Sequence, residues 1–472
     1  MADHPFLKEW HNQTTLHPLG MAAIVILGIA MLLLPRRLAL VPLILTACFI
    51  SPAQRIVVAS LDFNLLRVMV LCGWMRLILR GELLPLRWKL LDTLLVLWAL
   101  SGTIAYTVLH GSTSAFIFKL GTSFDTIGMY FLFRFLIRDW IDIERAVRAL
   151  TWVSVPVALA FLVEWNTARN PFAAFGGVNE VTIMRDGALR CQGAFAHPIL
   201  AGCFFASIMP WIAARWWLRG SASRSALVGL AASALVVLAC NSSTPVLGVI
   251  VAAFAGCLYY FRHLLGFVRW LTFSGLVAVH FLREKPVWHL LSRVGVRSGS
   301  TGWHRYYLVD HFIRRFSEWW MVGTTSTAHW GLHLFDVTNQ YVLEGVRGGI
   351  LSLALFLLLI AVAFRGVGGA WRANRENPWR LALSWALGVS LMVHCVNFIA
   401  VSYFGQIIIL WYLNLALIAA LTPLAPARAR AGARVPPAIA SSPPRPRPPL
   451  PDGTPPGGPD PELPPLGGLG PA

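Results

Sequence analysis

Thirteen apolar stretches divide the chain, and they limit its possible folds more than any other feature of the sequence. A helix that crosses a bilayer needs about 20 mostly apolar residues. One stretch is short and interrupted by Pro42, so the pattern predicts 12 or 13 transmembrane helices in an all-α polytopic membrane protein over residues 1–422. The stretches are 17–35, 38–53, 57–79, 90–109, 115–136, 147–164, 196–217, 225–241, 243–261, 264–282, 348–364, 380–400 and 403–422.

Composition supports the same class of protein. Hydrophobic residues make up 57% and charged residues 13% of the chain, whereas soluble domains contain about 25% charged residues. The formal net charge of +18 arises from short clusters of basic residues between the apolar stretches. A nucleic-acid-binding surface needs a continuous basic stripe, so we expect no nucleic acid partner.

The basic clusters follow every second apolar stretch, which orients the chain under the positive-inside rule. This orientation places two polar segments on the outer face, residues 164–197 (the first polar segment) and residues 283–349 (the second polar segment, a large late loop). Residues 423–472 are rich in proline, glycine and arginine, which predicts a disordered cytoplasmic tail. The clusters before this tail are Arg76, Arg80, Arg87 and Lys89; Arg134, Arg138, Arg145 and Arg148; Arg215, Arg219 and Arg224; Arg262 and Arg269; and Arg365, Arg372, Arg375 and Arg380.

The first polar segment leads into RDGALRCQGAFAHPILAG, which begins at Arg185. Arg185 and Arg190 stand just outside the membrane, and the planar, permanently charged guanidinium group is suited to binding phosphate oxygens. An arginine that anchors the chain at the lipid–water interface explains Arg190 equally well. His197 precedes a proline where a helix would start, so a hydrogen bond to the first helical turn is its simpler interpretation.

The second polar segment contains STGWHRYYLVDHFIRRF. Helical spacing puts Trp303 and Tyr307 on one face and Leu308 and Phe312 on another, which predicts an amphipathic helix on the membrane surface. Arg305, within this helix, is the candidate that we single out for a functional charge.

A third candidate group lies in HLFDVTNQYVLEGVRGG, which leads into the stretch at 348–364. Its polar side chains Asp336, Asn339, Tyr341 and Glu344 are suited to surround a sugar. A role as a helix N-cap explains Asp336 equally well.

The pattern R-x-x-G-x-F-x-H-P-x-x-x-G, present from Arg190 to Gly202, resembles the signature of the O-antigen ligase and polymerase family. Members are bacterial membrane glycosyltransferases of the GT-C-like type. The chain is also similar to that family in its dozen or so spans, its large late periplasmic loop with an arginine near the start, and its N-x-Y-V-x-E-G segment. The similarity covers about residues 150–365. Within the motif, Gly193 and Gly202 lack a side chain, so we expect them to allow other parts of the chain to approach the backbone closely.

The resemblance implies a lipid-linked donor, undecaprenyl diphosphate-glycan, on the periplasmic side of the bacterial inner membrane. The acceptor is a growing glycan or the lipid A-core. The resemblance implies that Arg190 and Arg305 hold the diphosphate, and we expect the substrates to lie among Arg185, His197, His333, Thr338, Asn339 and Tyr341. Two arginines stabilise the leaving diphosphate directly, so we expect neither a metal ion nor another cofactor.

The sequence departs from the family at the residue before Asn339. The family usually has a histidine there, taken as the base that activates the acceptor hydroxyl, and this chain has Thr338. We rank Asp336 as the substitute base, before His333 and His329, because a carboxylate accepts a proton directly.

Two other functions fit parts of the sequence. A transporter or flippase of the same lipid-linked glycan needs ionisable groups near the bilayer midplane and related sequence halves. Asp125 and Lys119 are the candidate midplane charges, and no repeat relates the two halves of the sequence.

The other alternative is a non-enzymatic membrane scaffold, which would tolerate alanine at both Arg190 and Arg305. The choice between ligase and polymerase stays open.

Overall fold

A computed structural model of the chain describes residues 13–58, 61–293 and 302–421. The predicted cytoplasmic tail at 423–472 lies outside the described residues. Helix accounts for 74% of the structure, which is consistent with an all-α membrane protein. The helices are α1 (Pro18–Leu33), α2 (Leu40–Phe49), α3 (Leu65–Leu79), α4 (Leu90–His110), α5 (Thr113–Ser123), α6 (Met129–Leu136), α7 (Trp140–Thr167), α8 (Pro198–Ala214), α9 (Ser221–Ala239), α10 (Ser243–Cys257), α11 (Leu265–Leu282), α12 (Gly302–Arg314), α13 (Phe316–Trp319), α14 (Gln340–Ala373), α15 (Pro378–Ala400) and α16 (Ile407–Leu421).

Every predicted apolar stretch contains a helix, but the helices differ in length. Within the described residues, seven are long and apolar enough to cross a membrane, and they include α4, α7, α8, α9, α11, α14 and α15. Three shorter apolar helices are α1, α10 and α16. Helix α2 has only 10 residues, about 15 Å at 1.5 Å per residue, which is half of a typical hydrocarbon core. The count of 12 or 13 spans stays a prediction.

The stretch at 57–79 is not one continuous helix. Its beginning belongs to an antiparallel hairpin of β1 (Arg55–Val58) and β2 (Leu61–Asn64), and the helix starts only at Leu65. Asn64 caps α3 by accepting a hydrogen bond from the Arg67 N–H at 2.9 Å. A side-chain cap fixes where the helix begins.

The predicted end of the second polar segment, at 349, coincides with a bend in a helix. Helix α14 begins at Gln340 and bends at Gly349, which has φ +68°. A Cβ atom there would lie 2.2 Å from the Met321 carbonyl oxygen, so only glycine lets the loop backbone come this close. The Ile350 N–H donates to the Trp320 carbonyl at 2.8 Å. The middle of the second polar segment, at Trp320 and Met321, is therefore fastened to the bend in α14.

The predicted amphipathic helix is present as α12. Leu308 is fully buried and packs with Trp319, Val342 and Val346 in a small core against α14. Trp303 remains 52% exposed. The helix is confirmed, whereas its position on a membrane surface stays a prediction.

The two ends of the helical bundle are distinguished by the residues that gather at them. At one end, which we call the arginine-rich end, Arg215 pairs with Glu144 at 2.6 Å, and the Trp140 and Trp379 rings lie 5.8 Å apart. Helices α7 and α15 begin at this end and α8 finishes there. The opposite end, the site end, gathers the first polar segment, the α9–α10 turn and α12. Which end faces outward stays a prediction.

Candidate functional site

Glu164 fixes the loop that carries Arg190. Its side chain is fully buried in the last turn of α7. One carboxylate oxygen accepts hydrogen bonds from the Thr182 hydroxyl and the Gln192 N–H, both at 3.1 Å, and the other accepts from the Gly193 N–H at 3.0 Å. A single buried carboxylate therefore holds the loop against α7 both before Arg190, at Thr182, and after it, at Gln192 and Gly193.

Two further contacts set the path of the same loop. Gly193 has φ +59°, and a Cβ atom there would lie 2.3 Å from the Phe161 ring. The Cys191 N–H donates to the Ala239 carbonyl at 3.1 Å, which ties the loop to the end of α9. The predicted close approach at Gly193 is confirmed, and it brings Arg190 beside the α9–α10 turn.

The α9–α10 turn, residues 240–244, ends at the half-buried amino terminus of a helix. Helix α10 has 15 residues, and the Ser242 side chain at its N-cap makes no capping hydrogen bond. Free N–H groups and the helix dipole make such an end attractive to anions. Gly202 permits this placement, because a Cβ atom there would lie 2.5 Å from the Pro245 ring.

Arg305 reaches the same turn from the second polar segment. Its side chain is only 6% exposed, and Nη2 donates to the Thr244 hydroxyl at 3.1 Å. The loop that carries Arg190 is therefore hydrogen-bonded to the end of α9, and Arg305 is hydrogen-bonded to the first turn of α10, so residues far apart in the sequence meet the two ends of the α9–α10 turn.

Both guanidinium groups lack a negative partner. In the described part of the chain, no carboxylate forms an ion pair with Arg190 or Arg305, and the Nε atom of each is buried without a hydrogen bond. By contrast, Arg314 in α12 pairs with Asp310 at 2.8 Å. A buried charged donor without a partner is costly, so the arrangement suits a ligand that supplies anionic oxygens.

The electrostatics agree with that assignment. Burial lowers the pKa of Arg190, and the nearby Arg185 lowers it further. Burial also lowers the pKa of Arg305. A guanidinium group nevertheless stays protonated in proteins, so the site carries two positive charges. Arg185 itself is exposed and lies 3.6 Å from the Asp186 carboxylate.

His197 is the N-cap of α8, which confirms the simpler interpretation of this residue. Nδ1 accepts the Ile199 N–H at 3.2 Å, and Pro198 occupies the first helical position. Burial, with Arg190 and Arg185 nearby, lowers the pKa of His197 to about 4. The neutral ring therefore carries its proton on Nε2, which makes it a hydrogen-bond donor rather than a base.

The low pKa of His197 predicts a pH-dependent stability. Between pH 6.5 and pH 4 the unfolded chain binds a proton that the folded protein does not, so stability is lost as the pH falls. We expect a loss of roughly 2–3 kcal/mol across this window. His197→Asn keeps an N-cap but cannot titrate, so thermal melts should show wild type losing stability relative to this variant below pH 6.5. Parallel melting curves would contradict the prediction.

Asn339 and Tyr341 are occupied by contacts within the protein. The Asn339 carbonyl oxygen accepts the Tyr341 N–H at 2.9 Å, which makes Asn339 the N-cap of α14, and its amide donates to the Ile399 carbonyl at 3.1 Å. The Tyr341 hydroxyl donates to the Cys395 carbonyl at 3.0 Å. The alternative that Asp336 caps this helix is wrong, because Asn339 does so.

The candidate bases lie on the turn before α14. Asp336 is exposed, and its carboxylate accepts no hydrogen bond from a described residue. His333 is exposed and has φ +61°, and Thr338 is half-buried. No hydrogen bond or ion pair in the described structure joins these three side chains to Arg190 or Arg305.

His329, the last substitute base, already has a partner. Its Nε2 lies 2.8 Å from the Glu318 carboxylate. Hydrogen bonds from Trp330 and His329 lower the pKa of Glu318 to about 2, so this carboxylate is charged at neutral pH. A histidine bound to it is less available to take a proton from an acceptor.

Sequence reasoning missed a polar network beside the site. The Tyr403 hydroxyl lies 2.8 Å from His394 Nδ1 and accepts from the Asn397 amide at 3.2 Å. The Tyr403 N–H donates to the Gln340 side chain at 2.8 Å, and Gln340 donates to Glu344 at 2.7 Å. A histidine and an asparagine inside the apolar stretch at 380–400 were the available signal.

The fold and site define a helical protein with several helices of membrane-spanning length and, at one end, two arginines without a carboxylate partner among the described residues, of which Arg305 is buried and Arg190 half-buried. Within residues 13–58, 61–293 and 302–421, no group of three or more His, Cys, Asp or Glu side chains is arranged to hold a metal ion. The chain matches no family model and no curated protein sequence.

Proposed function

We propose that this protein is a membrane glycosyltransferase that takes a glycan from an isoprenoid diphosphate carrier, as O-antigen ligases and polymerases do. The observation that carries the proposal is a pair of guanidinium groups without carboxylate partners, each with a buried, unpaired Nε. Arg305 is hydrogen-bonded to Thr244 in the first turn of α10, and Arg190 lies on the loop that is hydrogen-bonded to the end of α9. A diphosphate supplies oxygens to both arginines and to the helix terminus at once. We propose the bacterial inner membrane, with the site facing the periplasm.

In the proposed reaction the acceptor hydroxyl oxygen attacks the anomeric carbon of the donor sugar. The bond from that carbon to the diphosphate oxygen breaks, and its electron pair stays on the diphosphate. Arg190, Arg305 and the α10 amino terminus stabilise the growing negative charge, and the His197 Nε2–H is an additional donor. Each preorganised donor of this kind contributes about 10²–10³ in rate.

The acceptor proton leaves to a general base. We propose Asp336, because its exposed carboxylate is not bound to another described side chain and can approach a bound acceptor. A base within hydrogen-bond reach contributes about 10²–10⁴ in rate. His329 is a weaker candidate because it is engaged with Glu318.

One contact favours this function over transport. Asp125, a candidate midplane carboxylate, accepts two hydrogen bonds from Arg67 at 2.8 and 2.7 Å. Because both of its oxygens are engaged by one arginine, this carboxylate suits a structural role better than a proton relay.

The test is the lipid-linked glycan pattern of a deletion strain. We expect accumulation of carrier-linked single repeat units if the protein is a polymerase, and of carrier-linked long chains if it is a ligase. Wild-type protein should restore the normal pattern, whereas an inserted Arg190→Ala protein should not. An unchanged carrier-linked pool in the deletion strain would overturn the proposal.

A further inference from the structure

A second site lies at the arginine-rich end of the bundle, away from the arginine pair. An apolar groove of about 250 Å³ runs between α8, α10 and α15 and is open along one side. Small side chains form much of its wall, among them Ala213, Ala252 and Ala386. Along α8, the groove begins at Met209, about 17 Å at 1.5 Å per residue from Pro198 at the site end of the helix.

The groove meets a polar pocket at its end. The pocket has a volume of about 410 Å³ and is lined by Trp216, Trp217, Arg219, Asn377, Pro378 and Trp379. Trp217 lines both spaces, so one elongated molecule can occupy them together. The Trp217 ring also lies 5.5 Å from the Tyr259 ring, in the type of aromatic belt found at lipid headgroup level.

Arg219 lines the pocket, and two further cations lie against aromatic rings near the groove and the pocket. Within the described residues, Arg219, Arg262 and Arg380 form no ion pair, although Arg215 close by is paired with Glu144. Arg262 lies 5.0 Å over the Tyr259 ring, and Arg380 lies 5.3 Å over the Trp140 ring. These contacts leave charge available for an anionic headgroup.

Arg219 also has an unusual backbone. Its φ of +59° with ψ of 180° falls in a region that residues other than glycine rarely adopt. A backbone conformation of this kind typically costs about 1–3 kcal/mol, so it persists only where contacts with the surrounding structure or a ligand hold it in place. Here the strained residue is an unpaired arginine that lines the polar pocket.

We propose that one anionic phospholipid binds here, with an acyl chain in the groove and its phosphate among Arg219, Arg262 and Arg380. Basic pockets between transmembrane helices bind anionic headgroups, and an apolar groove beside one accepts the chain. In our proposed function the glycan donor binds at the site end of the bundle. The lipid site lies at the arginine-rich end, so it does not depend on that function. Its ligand comes from the membrane leaflet at the arginine-rich end.

The test compares lipids on the purified full-length protein by native mass spectrometry and thermal melting. We expect phosphatidylglycerol to be retained roughly 10²-fold more strongly than phosphatidylcholine, since each arginine near anionic lipid contributes about a factor of five. Phosphatidylglycerol should also raise the melting temperature in a concentration-dependent way. The triple variant Arg219→Ala, Arg262→Ala, Arg380→Ala should lose the preference, whereas Arg148→Ala, an exposed arginine on α7 that lines neither space, should keep it.

A second variant fills the groove without touching the arginines. Gly256 lines the groove, and a Cβ atom there meets nothing within 4 Å, so Gly256→Leu should fold and exclude the acyl chain. Gly275→Leu is the matched control, since it is equally open but lies on α11. Equal retention of both lipids, retention by folded Gly256→Leu, or displacement of phosphatidylglycerol by an isoprenoid diphosphate would each overturn the proposal.

Discussion

Replacing Arg305 by alanine is expected to slow glycan transfer by about 10²–10³-fold while leaving the protein folded and inserted. Arg305 contributes a buried positive charge whose Nε has no partner, and its single side-chain bond is to the Thr244 hydroxyl. We expect its removal to change the stability of the free protein little. During transfer, however, the departing diphosphate would lack one of its hydrogen-bond donors. Transfer from a purified isoprenoid diphosphate donor, with kcat and KM measured separately, checks the prediction.

The matched control for this variant is Arg314→Ala. Arg314 lies in the same helix but is 71% exposed and paired with Asp310, so its loss should leave transfer nearly unchanged. Arg305→Lys should recover only part of the rate, because an ammonium group lacks the planar fork of guanidinium. A wild-type rate for Arg305→Ala would remove the basis for the proposed site.

A double variant of Arg190 and Arg305 tests whether the two arginines act on the same diphosphate. If both arginines act on one diphosphate, the double variant should lose less than the product of the two single losses. Strictly additive effects would mean that the two groups act separately.

Glu164→Ala is expected to reduce activity about as much as loss of Arg190 itself, although Glu164 contacts no substrate in our proposal. The change leaves the Thr182 hydroxyl and the Gln192 and Gly193 N–H groups without their common acceptor. Each buried donor left unsatisfied costs about 1–3 kcal/mol, so the loop should detach from α7. Hydrogen exchange at the Gln192 and Gly193 amides should accelerate accordingly.

Glu180→Ala is the control in the same loop. Glu180 is 67% exposed and pairs with Arg169, itself 73% exposed, so the change should alter stability by less than about 0.5 kcal/mol. Unchanged amide exchange in Glu164→Ala would show that other contacts hold the Arg190 loop. Arg305→Ala should still reduce the residual activity of the Glu164 variant, because Arg305 is fixed from the other polar segment.

Local sequence signals predicted some contacts and missed others. The His197 cap was predictable because a proline follows it at the helix start, and the close approach at Gly202 because glycine lacks a Cβ. The start of α3 was misjudged because the hairpin before it is as apolar as a helix. The sequence left a capping role for Asp336 open, and it could not point to Asn339 instead because aspartate and asparagine are equally good capping residues on their own.

The sequence by itself determined the helical character of the chain and the two polar segments, since long apolar stretches leave the backbone no other way to satisfy its hydrogen bonds in lipid. It also singled out Arg190 and Arg305, through a motif and through an amphipathic pattern. Only the tertiary structure decided that Glu164 holds the loop of Arg190 against α7 and that Thr244 at the start of α10 binds Arg305. Those contacts join residues 28–61 positions apart, and no local pattern specifies which distant partner a buried polar group will find.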